Sequence, residues 1–173
     1  MKKKRSIASA ILGIITIFLL IMISKPDTTG IENLKEITVK RVVDGDTFIY
    51  EENGSNVRVR MIGIDTPESV APEETNKTNT IEGQQASDYV KDFLEGETVY
   101  LEYDVDKYDD FDRELAYVYL PNGQMVEEIL LYEGFARTMT IQPNVKYADN
   151  FSKLQKEARE NKIGFWSGLW EDE

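Results

Sequence analysis

The stretch ITVKRVVDGDTFIYEENGSNVRVRMIGIDTPE, residues 37–68, decides the fold. Ile37 to Val43 alternates weakly as a strand, and Thr47 to Glu51 follows after the tight Asp44-Gly45-Asp46 turn. Asn53-Gly54 is a hairpin signal, because both residues accept positive φ. The next strand, Val57 to Ile64, places Val57, Val59 and Met61 on one face and Arg58 and Arg60 on the other. Such alternation suits a half-buried barrel wall. Asp46 and Asp65 are 19 residues apart, at the ends of strands that run out and back, so the hairpin can bring them together.

Downstream, Ser69 to Thr80 has no periodicity and reads as a loop. Glu82 to Leu94 sets Ala86, Tyr89, Val90, Phe93 and Leu94 on one helical stripe, with Gly96 as its stop. Strands are expected at Thr98 to Tyr103 and Leu115 to Leu120, the latter followed by a Pro121-Asn122-Gly123 turn. Met125 to Tyr132 is a short helix ended by Gly134, and Tyr147 to Asn161 is the last helix. Five short strands, one helix after the third and two at the end imply an α+β domain, and a small, partly open barrel of the OB type fits this order.

Without Cys or His, the chain cannot build disulfides, zinc sites, thiolate nucleophiles or imidazole triads. Chemistry must come from carboxylates, Arg, Lys, hydroxyls and oxygen-liganded metals. The basic residues Lys2, Lys3, Lys4, Arg5 and Lys25 precede the first acid, Asp27. Residues 26–173 then carry 15 basic and 32 acidic side chains, a net of −17. A domain this acidic repels polyanions at long range, so phosphate recognition has to be local or metal-bridged.

The basic start and the apolar run from Ile7 to Ile23 read as an export signal, residues 1–24. No Ala-x-Ala site follows, which favours an uncleaved signal anchor with its basic end in the cytoplasm; cleavage near Ser24 is the alternative. Residues 25–36 read as a tether, 37–168 as the folded domain and 169–173 as an acidic tail. The expected place is extracytoplasmic, membrane-anchored or secreted, and the expected state is a monomer.

Oxygen ligands converging at Asp46 and Asp65 favour a hard cation such as Ca²⁺ or Mg²⁺. Arg60, on the same strand as the second acidic cluster, is placed to grip a phosphate bidentately. Glu68, three residues beyond Asp65, is a candidate general base acting on water. Each has a plainer reading: a turn, a strand exit, a surface arginine, a solvated glutamate.

The segments VDGDT, VRVRMIGIDTPE and DRELAYVYLPNGQMVEEILLYEGFAR together resemble staphylococcal nuclease, the thermonuclease family, in order from about Ile37 to Trp166. The resemblance implies a five-stranded OB-fold β-barrel with three helices and a Ca²⁺-dependent phosphodiesterase acting on DNA and RNA, leaving 3′-phosphates. It implies Asp46, Asp65 and the Thr66 carbonyl as Ca²⁺ ligands, Arg60 and Arg113 as the phosphate clamp, and Glu68 as the base. Pro143 matches a family proline with a cis peptide bond. Where the family commonly has Asp-Lys-Tyr-Gly-Arg, this chain has Asp109-Asp110-Phe111-Asp112-Arg113, and a pair of family tyrosines is missing after Arg137. A non-catalytic binding module on the same fold is the second reading, motivated by the charge and these departures.

Overall fold

The computed structural model describes residues 30–67, 81–168 and 170. Five strands close a mixed barrel in the order β1 (Lys35–Asp44), β2 (Thr47–Glu52), β3 (Ser55–Met61), β6 (Glu114–Tyr119), β5 (Thr98–Glu102) and back to β1. Every pairing is antiparallel except β3 with β6, which is parallel. Helix α1 (Ile81–Leu94) follows the hairpin region, α2 (Val126–Tyr132) follows β6, and α3 (Ala148–Glu160) closes the domain, with a short 3₁₀ turn at Gly164–Ser167. This is the expected α+β OB-fold barrel with three helices, and it is closed rather than partly open.

The weak alternation of β1 has a cause. Ile37 and Val39 are buried, and the next buried position is Val42, one residue out of phase. The register with β2 slips at this place, from Val39 opposite Tyr50 to Arg41 opposite Ile49. An extra residue in one strand of a pair is a β-bulge, which bends the strand around the barrel. The tether expected over 25–36 ends early, because Ile31 is buried and Lys35 and Glu36 pair with Leu101 and Tyr100.

The single strand expected over Val57 to Ile64 is two. β3 ends at Met61, and Gly63, with φ +81°, turns the chain off the barrel into β4 (Gly63–Asp65). A Cβ on Gly63 would stand 2.7 Å from the Phe151 ring, so the turn and the close approach both require glycine. β4 pairs with a strand the sequence did not announce, β7 (Arg137–Met139), in a separate two-stranded sheet. This detour carries Asp65 to the barrel rim.

The core includes Val39, Phe48, Val59, Val99 and Val118 from the barrel, with Val90, Leu130 and Phe151 from the helices. A second cluster joins Ala86 and Ala158 to Phe165, Trp166 and Trp170. Trp170 is buried and edge-on to Phe165, so the domain extends past the expected boundary at 168. Residues 1–29, where the signal segment was expected, lie outside the described residues. Among the described residues no helix is long and apolar enough to cross a membrane.

Glu127 on α2 is fully buried and both of its carboxyl oxygens accept from the Val118 amide, at 3.1 and 3.2 Å. Burial pushes its pKa well above the ordinary carboxyl range, against the pull of the Val118 amide, and the charges of Glu128 and Glu102 push the same way as burial. A folded-state pKa raised above the unfolded one gives stability that is present at low pH and lost as pH rises from the unfolded value, about 4.5, through the folded one. Thermal melts from pH 4.5 to 8 are therefore expected to show the wild-type chain losing stability relative to Glu127→Gln as pH rises. Parallel curves would show that Glu127 does not titrate across folding.

Candidate active site

The turn between β1 and β2 sends one carboxylate inward. The Gly45 amide donates to Asp44 Oδ1 at 2.9 Å, and the Met61 amide donates to the Asp46 carbonyl at 2.9 Å, tying the turn to β3. The Asp46 side chain turns in and is only 6% exposed as a residue. Its Oδ1 accepts from the Thr47 hydroxyl at 3.0 Å, and its Oδ2 accepts from the Thr66 amide at 3.1 Å and hydroxyl at 3.2 Å. Thr66 thus latches the exit of β4 onto the β1–β2 turn.

Arg60 lies opposite Thr47 in the β2–β3 register. Its Nη1 is 2.7 Å from Asp46 Oδ2 and its Nη2 is 3.4 Å from Asp65 Oδ1. Nη1 is buried and makes no well-angled hydrogen bond, so its contact with Asp46 is an ion pair rather than a directed bond. From β7, Arg137 Nε stands 3.2 Å from Asp65 Oδ2, directly across the β4–β7 pair. Burial raises the Asp46 pKa, and the Arg60 charge and the Thr66 amide pull it back. A buried carboxylate without such a partner would be neutral.

Asp46, Arg60, Asp65 and Thr66 therefore lie together, while Glu68 lies outside the described residues. Arg137 escaped the sequence reading, since its role depends on a three-residue strand with no periodicity of its own. Arg60 and Arg113 line one cleft of about 300 Å³. Arg113 Nε is held by Asp109 Oδ2 at 2.7 Å, and its guanidinium lies 5.5 Å from the centre of the Phe111 ring. The far wall is fixed by Asn144, whose side chain accepts from the Asp106 amide and donates to its carbonyl, both at 2.8 Å. Beside it, the Gln142–Pro143 peptide is cis.

Asp46 and Asp65 offer hard oxygen donors that already converge on one cation, the Arg60 guanidinium. Among the described residues no third His, Cys, Asp or Glu joins them. Two carboxylates are donors of the kind a hard, oxygen-liganded divalent ion would take, and Asp46 and Asp65 would hold it.

The sequence model of the family described as Staphylococcal nuclease homologue matches residues 58–168, more than half of the chain. The chain belongs to this family. It is 42% identical over 142 residues to Thermonuclease of Staphylococcus hyicus, covering 81% of this chain and 82% of that protein. To Thermonuclease of Staphylococcus intermedius it is 42% identical over 128 residues, 74% of each. To Endonuclease YncB of Bacillus subtilis it is 37% identical over 144 residues, 82% of this chain and 66% of that protein.

In this member of the staphylococcal nuclease family the Asp109–Arg113 loop is well formed. Asp109 Oδ1 accepts from the Phe111 and Arg113 amides at 2.9 and 3.0 Å. Burial works to raise the Asp109 pKa, but these bonds and the Arg113 charge hold it below the ordinary range. Asp112 takes φ +58°, a left-handed conformation that aspartate tolerates better than most side chains. After Arg137, Met139 and the 60% exposed Ile141 line the cleft.

Gly45 sets the closeness of the two acidic segments. A Cβ there would lie 2.7 Å from Thr66 Oγ1 and 3.0 Å from Thr66 Cβ, while the Gly45 backbone is not in the left-handed region. Gly45→Ala is expected to lower stability by roughly 1–3 kcal/mol through overpacking alone. A denaturant melt checks it, and an unchanged midpoint would mean that Thr66 moves aside freely.

Proposed function

We propose that this chain is an exported, Ca²⁺-dependent nuclease that hydrolyses phosphodiesters of DNA and RNA to 3′-phosphate products. Its single strongest support is the Arg60 guanidinium bracketed by Asp46 and Asp65 in a cleft shared with Arg113. Family membership and relatives named thermonuclease and endonuclease support the same reaction class.

Asp46, Asp65 and the Thr66 carbonyl hold Ca²⁺, which when bound neutralises charge gathering on the phosphate. Arg60 and Arg113 grip the phosphate oxygens, two fixed forks matched to the equatorial charge of the transition state. To do so Arg60 exchanges its carboxylate partners for the phosphate, and Arg113 does the same with Asp109. Glu68 accepts the proton of the attacking water, a role open to a carboxylate in a chain without histidine. The new bond to phosphorus forms as the bond to the 5′ oxygen breaks. Asp106, Asp109 and Asp110 on the cleft wall oppose long-range attraction of a polyanion, so affinity rests on the local cations. The N-terminal segment keeps the monomeric enzyme at the outer membrane face, or releases it after cleavage near Ser24.

Hydrolysis of single-stranded DNA by purified residues 30–173, with Ca²⁺ and with a chelator, tests the reading. Turnover is expected only with the ion, and Glu68→Gln is expected to lower it by about 10²-fold or more while leaving the melting curve in place. Binding without cleavage across divalent ions and substrates would make the chain a recognition module instead.

A further inference from the structure

The residue after Arg113 is Glu114, the first of β6, and its side chain is only 3% exposed. A carboxylate buried so deeply persists only with a full set of partners. Glu114 Oε2 accepts from the Tyr103 hydroxyl at 2.8 Å and the Tyr50 hydroxyl at 3.1 Å, and Oε1 from the Tyr108 hydroxyl at 3.5 Å. Lys107 Nζ lies 3.4 Å and Lys35 Nζ 3.7 Å from Oε1. Lys35 also hydrogen-bonds the Tyr50 hydroxyl, and Lys107 lies over the Tyr103 ring at 4.3 Å and the Tyr108 ring at 5.4 Å. Burial works to raise the Glu114 pKa, but the Tyr103 hydrogen bond and the lysine charges outweigh it, so the group is held ionised.

These partners come from different parts of the chain. Lys35 belongs to β1, Tyr50 to β2, Tyr103 to the exit of β5, and Lys107 and Tyr108 to the loop that leads to Arg113. The backbone clips the same loop: the Leu115 amide donates to the Lys107 carbonyl at 2.8 Å, and Tyr108 bridges to Glu114. On the other side, β6 runs beside β3 with Glu114 at Val59 and Leu115 at Arg60. Glu114 is therefore the point where the strand carrying Arg60 and the loop carrying Arg113 are fixed to each other. A barrel end needs no charge to pack, and apolar side chains of similar volume often replace buried ionic clusters without loss of stability.

We propose that Glu114 is a positioning residue for phosphodiester hydrolysis: through Tyr103, Lys107 and Tyr108 it sets where the loop presents Arg113 relative to Arg60. This rests on the nuclease reading. Glu114 touches no substrate and acts only through Arg113.

A double-mutant cycle tests it. Glu114→Gln keeps the volume and can still accept from the tyrosines, but loses its charge attraction to Lys107 and Lys35. It is expected to lower kcat ten- to a hundredfold, in the range of a misplaced catalytic group, with KM changed much less. In an Arg113→Ala background the same substitution is expected to make no further difference, because the residue it positions is gone. Equal fold losses in both backgrounds, or no loss in the first, would overturn the proposal, since damage to the fold alone acts regardless of Arg113. Assays run below the lowest melting temperature of the set. Should Glu114→Gln not fold, the cycle of Lys107→Met with Arg113→Ala is read the same way. A wild-type chain that cleaves nothing sinks the nuclease reading, and the cycle is then read on binding of a single-stranded oligonucleotide. A chain that neither cleaves nor binds overturns both.

Discussion

Two carboxylates and one guanidinium hold the working end of this molecule together. Asp46 arrives from the β1–β2 turn and Asp65 from the end of β4, and they converge on Arg60 from β3. The two carboxylates repel each other, and the burial of Asp46 adds desolvation. A cation between them offsets both costs. Removing one partner of a buried ion pair is severe, roughly 3–5 kcal/mol, so Arg60 has a structural part in holding this end of the barrel. The Gly45 turn, the Thr66 latch and the Gly63 detour all serve to bring these groups to one place.

Much of this was legible in the chain. The Asp-Gly-Asp turn, the Asn53-Gly54 hairpin and the Val57, Val59, Met61 alternation express local rules of strand and turn, and the structure follows them. The resemblance carried Arg113 into the site, where the cleft joins it to Arg60. What the pattern concealed is non-local. β4 and β7 are three residues each, too short for any period, so neither the break at Gly63 nor the Arg137–Asp65 pair could be read from sequence. The β1 bulge appeared only as weak alternation, and a tail that looked merely acidic holds a buried Trp170. Glu114 was hidden because its partners span residues 35 to 108.

The electrostatic design is consistent from the whole domain to the single atom. The folded part is strongly acidic, so nothing draws a polyanion in from afar. Positive charge is instead concentrated in Arg60, Arg113 and Arg137, and each is held by a carboxylate. Those carboxylates hold the guanidinium groups in place around the cleft.

The central claim is that Asp46 and Asp65 exchange Arg60 for a divalent ion. Calorimetric titration of Ca²⁺ into the folded chain and into Asp46→Asn tests it without relying on turnover. The account predicts one weak site in the wild type and its loss in the variant, with the variant still folded. Equal calcium binding by both proteins would contradict it.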